Sequence, residues 1–319
     1  MLRSFLIFLS KAVWAQRLIT RWEFAWHVAS RFVAGSSIQE AVLVVRELNE
    51  KGMNVTLDHL GESTTTRAEA LNATEDILEL IDQIERANLR ANVSVKLTQI
   101  GLALGEELCN QNLERILARA RQHKNFVRID MEDTPYTERT IHLYRLMRTK
   151  GYNNTGLVIQ SYLLRSEKDV RKLLIDGTRI RLVKGAYKEP PELAFPKKAD
   201  VDYNFDLLAQ KLIEAATAAG LPSLSEDGRI PPIPAFGTHD QRRIQFAKEY
   251  ATKHGLPKQA LEFQMLYGIR RDLQIQCLEE GYPVRIYIPY GTHWYPYFMR
   301  RLAERPANVW FFVSNFFRR

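Results

Sequence analysis

Short runs rich in aliphatic and β-branched residues alternate with helical patterns along most of this chain. The predicted strands cover 53–58, 92–97, 126–131, 156–161, 178–184, 232–237, 261–266 and 284–289. A helical pattern follows each of them, the last one at about 294–304, and one more helix at 38–51 precedes the first strand. Eight strand–helix units in one run predict an α/β fold, a (β/α)8 barrel of the TIM type, rather than an open doubly wound sheet. We expect the helix at 38–51 to cap the closed bottom of this barrel.

The length of the chain is compatible with one domain of this kind. It has 319 residues, of which 45% are hydrophobic and 26% charged, so a substantial core can form. We predict an N-terminal amphipathic helical arm over 1–35 and a barrel catalytic domain over 36–319. The Phe, Leu and Trp residues of the arm could pack on the barrel or lie in a membrane interface, and packing is the simpler expectation. The C-terminal "VWFFVSNFFRR" offers the same two alternatives.

The charge balance favours anionic partners. The formal net charge is +8 and the pI is about 9.4, which suits phosphate-bearing cofactors or an acidic membrane surface. Nucleic acid is not expected, because the sequence has no zinc-finger spacing and no basic low-complexity arm. No apolar run reaches the roughly 20 residues that span a bilayer. The cysteines, Cys109 and Cys277, are too few for a disulfide framework, and we expect a cytoplasmic protein, with peripheral attachment to the inner face of the membrane as an option.

The strands carry an apolar and a polar phase, and the phases separate cleanly. In the third strand, for example, Val127 and Ile129 alternate with Arg128 and Asp130. The apolar phase must face the helices, so the polar phase faces the barrel axis. Near the C-terminal ends of the strands this phase contains Lys96, Asp130, Gln160, Arg181, Gln264 and Tyr287. Barrel active sites lie at that end, which favours a ligand site for this set. A self-compensating ion network is the alternative, and it accounts well for Arg128, Arg179 and Glu262 lower in the barrel.

The last predicted helix, in "HWYPYFMRRLAERPANVW", carries a second charged group of residues. Residues three and four apart on a helix are neighbours, so one face holds Tyr297, Arg300, Arg301 and Glu304. Two guanidinium groups can hold a carboxylate by paired, charge-assisted hydrogen bonds. A solvated ion-pair face is the default for an arbitrary helix. The position directly after the eighth strand favours an anion clamp.

A metal-dependent barrel hydrolase or lyase is the alternative function. It would use the "GTHD" at the end of the sixth strand together with acidic residues at other strand ends, namely His239, Asp240, Asp58, His59, Glu132 and Asp133. Asp58 and His59 point to opposite faces of their strand, as do Glu132 and Asp133, and no HxH or HExxH spacing is present. We therefore predict no metal site.

Five motifs together resemble the flavin-dependent proline dehydrogenases, particularly the small single-function bacterial ones. They are "RLVKGAY", "GTHD", "EFQMLYG", "RIYIPYG" and "YFMRRLAERPAN", in the right order at the right strand ends, and the resemblance covers essentially residues 36–310. It implies FAD across the C-terminal mouth of the barrel. It also implies oxidation of L-proline to 1-pyrroline-5-carboxylate by hydride transfer to flavin N5, the first step of proline degradation, with electrons passed to a membrane quinone. The secondary amine must lose its proton, so we expect the rate to rise toward alkaline pH.

The resemblance also implies roles for single residues. Asp130 and Arg181 are the catalytic positions, with Arg181 near flavin N5. The substrate-binding positions are Lys96, Tyr187, Leu266, Tyr287, Tyr297, Arg300, Arg301 and Glu304, of which Lys96 and the two arginines neutralise the proline carboxylate. The flavin positions are Met131, Gln160, Arg181, Val183, Lys184, Gly185, Ala186, Thr238 and His239. Two positions depart from the family pattern: Lys188 stands where relatives often have tryptophan, and "GTHD" stands where some read "ATHN".

Overall fold

The strands close into one parallel barrel in the order of the chain. The computed structural model describes residues 6, 9–10, 12–20, 23–61, 64–218, 220 and 223–304. The strands are β1 (Asn54–His59), β2 (Ala91–Val95), β3 (Val127–Ile129), β4 (Thr155–Gln160), β5 (Arg179–Val183), β6 (Pro234–Gly237), β7 (Glu262–Leu266) and β8 (Val284–Tyr290). Each pairs with its neighbour in sequence, and β8 pairs with β1, so that the sheet has no edge. The predicted (β/α)8 fold is confirmed.

The helices of the described residues lie along the wall of this barrel or at its mouth. They are α1 (Val13–Ile19), α2 (Glu23–Ala29), α3 (Ile38–Glu50), α4 (Arg67–Arg86), α5 (Glu106–Gln122), α6 (Thr134–Thr149), α7 (Ser166–Ile175), α8 (Lys198–Ala218), α9 (Gln241–Lys253), α10 (Arg271–Glu279) and α11 (Trp294–Glu304), with a 3₁₀ turn at Lys258–Ala260. Local chemistry sets several of their starts. At α4, Thr66 accepts from the backbone N–H of Glu69, whose carboxylate bonds back to the backbone of Thr66.

The apolar phase of the strands forms the main core. Val127 and Ile129 are fully buried among the apolar faces of the surrounding helices, as the alternation predicts. Arg128 between them is also fully buried, and its Nη1 donates to the carbonyl of Leu157 at 3.1 Å. The barrel axis therefore holds polar groups that are shielded from water.

The helix at 38–50 lies on the wall of the barrel, so the prediction that it caps the bottom was wrong. Ala41 and Val45 of α3 are buried in the main core, and α3 packs along the outer side of β1 and β8. The turn before α3 is held at the upper end of β8, where the N–H of Gly291 donates to the carbonyl of Gly35 at 2.9 Å. An amphipathic helix gains most by burying its apolar stripe, and the apolar wall offers that surface.

The segment 224–232 closes the bottom instead. Arg285 Nη2 donates to the carbonyl of Gly228 at 2.6 Å, and Asn92 Nδ2 donates to the carbonyl of Arg229 at 2.7 Å. Both donors lie near the N-terminal ends of their strands. Polar side chains at this end are thus satisfied by backbone carbonyls of a loop, which an apolar helix face could not provide.

The last helix, α11, packs with the N-terminal helices rather than along the barrel wall. A second hydrophobic cluster joins α1 and α2 to α11 and to Leu60 and Ile269, which follow the C-terminal ends of β1 and β7. The rings of Trp26 and Trp294 lie 5.5 Å apart, and Phe298 is fully buried. Helix α11 consequently lies over the mouth of the barrel. The C-terminal "VWFFVSNFFRR" lies outside the described residues. In the portion of the chain that is described, no helix is both long enough and apolar enough to cross a membrane.

Candidate active site

The ammonium group of Lys96 lies in a cluster of charged and polar side chains at the C-terminal end of the barrel axis. Its Nζ is 2.9 Å from both carboxylate oxygens of Asp58, 3.2 Å from the hydroxyl of Tyr287 and 3.4 Å from Asp130 Oδ2. Lys96 is 8% exposed and Asp58 is 1% exposed. A buried ammonium group needs such partners, because an unpaired one would give up its proton.

Besides Lys96, three side chains donate hydrogen bonds to Asp130. Ser94 Oγ donates to Oδ1 at 2.6 Å, Arg181 Nη1 donates to the same oxygen at 2.9 Å, and the Tyr287 hydroxyl donates to Oδ2 at 2.7 Å. Burial alone would raise the pKa of Asp130, but Lys96 and Arg181 outweigh it, and the net pKa is lowered. Asp130 is therefore an ionised organiser of the cluster at neutral pH.

Tyr287 is a fixed donor in this cluster. Burial raises the pKa of its hydroxyl well above the ordinary value, and the carboxylates of Asp130 and Asp58 raise it further. Its ring also lies under two cations, since Arg181 Cζ is 5.2 Å and Lys96 Nζ is 5.9 Å from the ring centroid. The hydroxyl keeps its proton, and the ring face stabilises positive charge.

Helix α11 brings a second set of cationic groups over this cluster. Arg301 is 8% exposed, and its Cζ is 5.0 Å from the centroid of the buried Tyr297 ring, whereas Arg300 is partly exposed. The partly buried Leu266 packs against the same hydrophobic cluster as Tyr297. Three of the four residues of the predicted helical face are thus described, and the side chain of Glu304 lies outside the described residues.

The predicted flavin positions lie at the C-terminal ends of β3, β4, β5 and β6, or in the loops that follow them. His239 Nε2 accepts from the backbone N–H of Leu266 at 2.9 Å, so this nitrogen carries no proton. Gln160 Nε2 donates to the carbonyl of Glu132 at 2.9 Å, and Thr238 Oγ1 accepts from the N–H of Asp240 at 3.1 Å. Met131 and Thr238 are buried, Val183, Lys184, Tyr187 and His239 are half-buried, and Gly185 and Ala186 are exposed.

Lys184 and Gly185 have local constraints of their own. The Lys184 ammonium pairs with Asp202 and lies 2.6 Å from Asp240 Oδ2, so the aspartate of "GTHD" has a partner within the chain. Gly185 has φ +121°, and a Cβ there would come within 2.2 Å of the Tyr162 ring. Only glycine fits this position.

The residues of the metal-site alternative are bound elsewhere. The Asp58 carboxylate is paired with Lys96, Glu132 Oε1 accepts from the N–H of Thr98 at 3.0 Å, and His239 Nε2 is bound as described above. Over the described ranges, no three His, Cys, Asp or Glu side chains come together in a way that could hold a metal ion.

Asp58 is the residue that sequence reasoning missed. The sequence motifs indicate it only as a metal ligand, although the alternation of β1 assigns it to the axis, with Asn54 and Thr56 on one phase and Val55 and Leu57 on the other. That signal could have found it as a member of the cluster. Its pairing with Lys96 joins residues 38 positions apart, and no local pattern gives that contact.

A closed parallel barrel with buried charged groups at the C-terminal ends of its strands is the architecture of a barrel enzyme. The comparisons with known proteins give the family. The model of the proline dehydrogenase family matches residues 41–314, and the chain belongs to that family. It is an oxidoreductase that acts on proline.

Curated relatives are similar over nearly their whole length. The chain is 38% identical to proline dehydrogenase 2 of Bacillus subtilis over 97% of this chain and 96% of that protein. It is 40% identical to proline dehydrogenase 1 of the same species, over 99% of both chains. A proline dehydrogenase of Deinococcus radiodurans is 40% identical over 91% of this chain and 90% of that protein. The small single-function type is thereby confirmed.

Solved structures show the same fold. Proline utilization A from Bdellovibrio bacteriovorus superposes with a TM-score of 0.78 at 28% identity, over 88% of this chain and 33% of that one. A variant of proline utilization A from Bradyrhizobium japonicum gives a TM-score of 0.71 at 23% identity, over 88% of this chain and 31% of that one. The chain therefore spans about a third of the length of these larger proteins.

Proposed function

We propose that this chain oxidises L-proline to 1-pyrroline-5-carboxylate with FAD as its resident cofactor and passes the electrons to a membrane quinone. The observation that carries the proposal is the cluster of Lys96, Asp130, Arg181 and Tyr287 at the top of the barrel axis, beneath the helix with Arg301. It offers fixed cationic groups and an aromatic wall in a water-poor site, which suits a small amino acid with a carboxylate.

In this proposal the proline carboxylate binds Lys96, Arg300 and Arg301. Guanidinium groups bind carboxylates by paired hydrogen bonds, and the buried setting strengthens each of them. The pyrrolidine ring would lie among Tyr187, Leu266, Tyr287 and Tyr297, with Glu304 beside the basic group. Holding the ring in one orientation can lower the barrier by about 7–11 kcal/mol at most.

The residues at and after the C-terminal ends of β4, β5 and β6 fit a flavin adenine dinucleotide. The donor set consists of the Arg181 guanidinium, the Thr238 hydroxyl and the Lys184 ammonium, and the backbone at Gly185–Ala186 is exposed to a ligand. Met131, Gln160, Val183 and His239 would complete the contacts. When bound, the flavin supplies the hydride acceptor. Arg181 would contribute a fixed positive charge beside it, since Asp130 holds its Nη1 at 2.9 Å.

Proton handling follows from the same cluster. Asp130 has a lowered pKa and Tyr287 a raised one, so neither takes up a proton at neutral or mildly alkaline pH. In this proposal the substrate ammonium releases its proton to solvent, rather than to either of these groups, before or during the oxidation.

The N-terminal region has features of a peripheral membrane contact. We propose residues 1–35 as an arm on the barrel domain 36–319. On α1, Trp14 is 63% and Leu18 is 50% exposed, and Arg17 between them is exposed as well. Aromatic and basic groups of this kind bind anionic membrane interfaces. We propose that the arm brings the enzyme to the inner face of the membrane, where its quinone acceptor lies.

Anaerobic titration with a panel of cyclic amino acids tests the proposed reaction. The purified protein is expected to be yellow, and L-proline is expected to bleach the flavin band at lower concentration than hydroxyproline or pipecolate. A protein that binds no flavin, or a bound flavin that proline does not reduce, would refute the proposal. Sedimentation with anionic vesicles, with and without residues 1–30, tests the arm separately.

A further inference from the structure

A chain of buried polar contacts runs along the lower part of the barrel axis and ends at Arg181. Arg285 Nε lies 3.1 and 3.0 Å from the two carboxylate oxygens of Glu262, and both residues are fully buried. Glu262 Oε2 accepts from Gln264 Nε2 at 2.5 Å. Gln264 Oε1 in turn accepts from Arg181 Nε at 2.5 Å. The roles proposed above use none of Arg285, Glu262 and Gln264.

The chemistry of this row of hydrogen bonds fixes the orientation of the Gln264 amide group. A carboxylate paired with arginine is ionised and can only accept hydrogen bonds, so the NH₂ of Gln264 must face Glu262. The amide oxygen of Gln264 must then face the opposite way, toward the N–H of Arg181. With Asp130 on Nη1 at 2.9 Å, the guanidinium is held by acceptors at two of its nitrogens. Its plane and position are thereby defined.

We infer that Glu262 is a positioning residue for proline oxidation, which acts through the amide of Gln264 on the guanidinium of Arg181. The inference rests on the proposed function, in which Arg181 lies against the flavin. Glu262 sets which end of the amide meets Arg181, and so it sets whether the guanidinium finds an acceptor or a second donor there. Neither Glu262 nor Gln264 needs to touch the substrate for this effect.

The substitution Glu262→Gln reverses the direction of the hydrogen bond between residues 262 and 264. The new amide at position 262 uses its oxygen for Arg285 and presents its NH₂ to Gln264. The amide of Gln264 then turns its own NH₂ toward Arg181, and two donors meet. The double variant Glu262→Gln/Gln264→Glu restores an acceptor opposite Arg181, and the amide oxygen at position 262 keeps one of the two contacts with Arg285 Nε. It separates the orientation of the amide from the mere presence of polar groups.

The experiment measures steady-state kinetics, flavin midpoint potential and thermal unfolding for both variants. For Glu262→Gln we expect kcat to fall by about tenfold or more. We also expect a KM for proline within about threefold of the parent and a more negative midpoint potential, because the positive charge beside the flavin is displaced. The double variant should regain a kcat within about threefold of the parent. The control Glu85→Gln removes the ion pair between Glu85 and Arg229, which lies away from Arg181. It should change neither kcat nor the midpoint potential.

Gln264→Met provides a second route if Glu262→Gln does not fold. It removes the amide altogether, and the inference requires the same loss of kcat and the same direction of the potential shift. A parental potential in either single variant, or a double variant as impaired as Glu262→Gln, would refute the inference. Reduction of the parental flavin by proline is measured beforehand, so failure of the proposed function would be seen independently of these variants.

Discussion

At the scale of single residues, the site is a cluster of charged side chains that are shielded from water. Lys96 and Asp130 are 8% exposed, and Asp58 is 1% exposed. Charged groups in such surroundings are retained only when each finds a partner, and removal of one partner leaves the other uncompensated. The cluster meets this condition by mutual contact, which also fixes the positions of its cationic groups.

Asp58→Asn tests how much of this positioning depends on the residue that sequence reasoning missed. The amide cannot neutralise the Lys96 ammonium, which keeps Asp130 and Tyr287 as partners. We expect kcat/KM for proline to fall by about 10- to 100-fold, mainly through KM, which is a loss of about 1.4–2.7 kcal/mol. Asp272→Asn removes an exposed carboxylate paired with Arg270 and serves as the control. Unchanged kinetics in Asp58→Asn would contradict the positioning role.

The pH dependence of kcat/KM tests which group loses the proton. The pKa of Asp130 is lowered and that of Tyr287 is raised, so neither titrates between pH 6 and pH 9. We therefore expect kcat/KM to rise with pH across this window, because the titrating group is the substrate ammonium. Tyr287→Phe should lower the rate at every pH and leave the apparent pKa unchanged. A flat parental profile would contradict titration of the substrate ammonium, and a shifted pKa in the variant would show that the enzyme supplies the titrating group.

At the scale of elements, the helix that follows the eighth strand is not the one that covers the barrel wall beside that strand. Helix α3 covers the wall at β1 and β8, and this leaves α11 over the mouth, where it carries Tyr297 and Arg301. The apolar side of α11 is then covered by α1 and α2. The placement of Tyr297 and Arg301 thus depends on packing between α11 and the N-terminal helices.

Phe298→Ala tests this dependence. Phe298 is fully buried, and its ring lies 5.9 Å from that of Trp294. Truncation of a buried Phe costs about 3–5 kcal/mol, and here the loss falls on the contact of α11 with α1 and α2. We expect the KM for proline to rise at least about tenfold and the amides of α11 to exchange faster, while those of the strands keep their protection. The exposed Tyr203→Ala is the control, and equal acceleration in the strands would show a global effect instead.

At the scale of the whole molecule, networks of ion pairs join neighbouring elements outside the barrel. One of them links the ends of β5 and β6 to α8 and α9, where Asp206 Oδ1 lies 3.0 Å from Arg243 Nε. Burial raises the pKa of Asp206 to about 6, against the attraction of Arg243 and with a contribution from Asp202. The folded state therefore binds this proton more tightly than the unfolded chain. Its contribution to stability is present at low pH and is lost as the pH rises from about 4 to about 6.

Asp206→Asn should remove this pH dependence. The difference in Tm between variant and parent is expected to move in favour of the variant between pH 5 and pH 8, because only the parent carries the ionised carboxylate at pH 8. Thermal unfolding at both pH values measures it, with the exposed Asp272→Asn as a control. A difference in Tm that does not change with pH would contradict the raised pKa.

The sequence by itself determined the strands, their order and the face on which each side chain lies. Alternation within a strand is a local property, since neighbouring residues must point to opposite sides of the sheet. Lys96, Asp130, Arg181 and Tyr287 could be assigned to the axis for this reason alone. The family motifs then gave their expected roles.

Only the tertiary structure decided which of these groups touch. The contact of Asp58 with Lys96 spans 38 positions and arises because β1 pairs with β2. The contact of Arg181 with Gln264 spans 83 positions and arises because β5 and β7 both pair with β6. The tertiary structure likewise decided that α3 covers the wall and that the loop 224–232 covers the bottom. Periodicity shows that a helix has an apolar side. The surface against which that side packs is formed by residues distant in sequence, so the periodicity does not identify it.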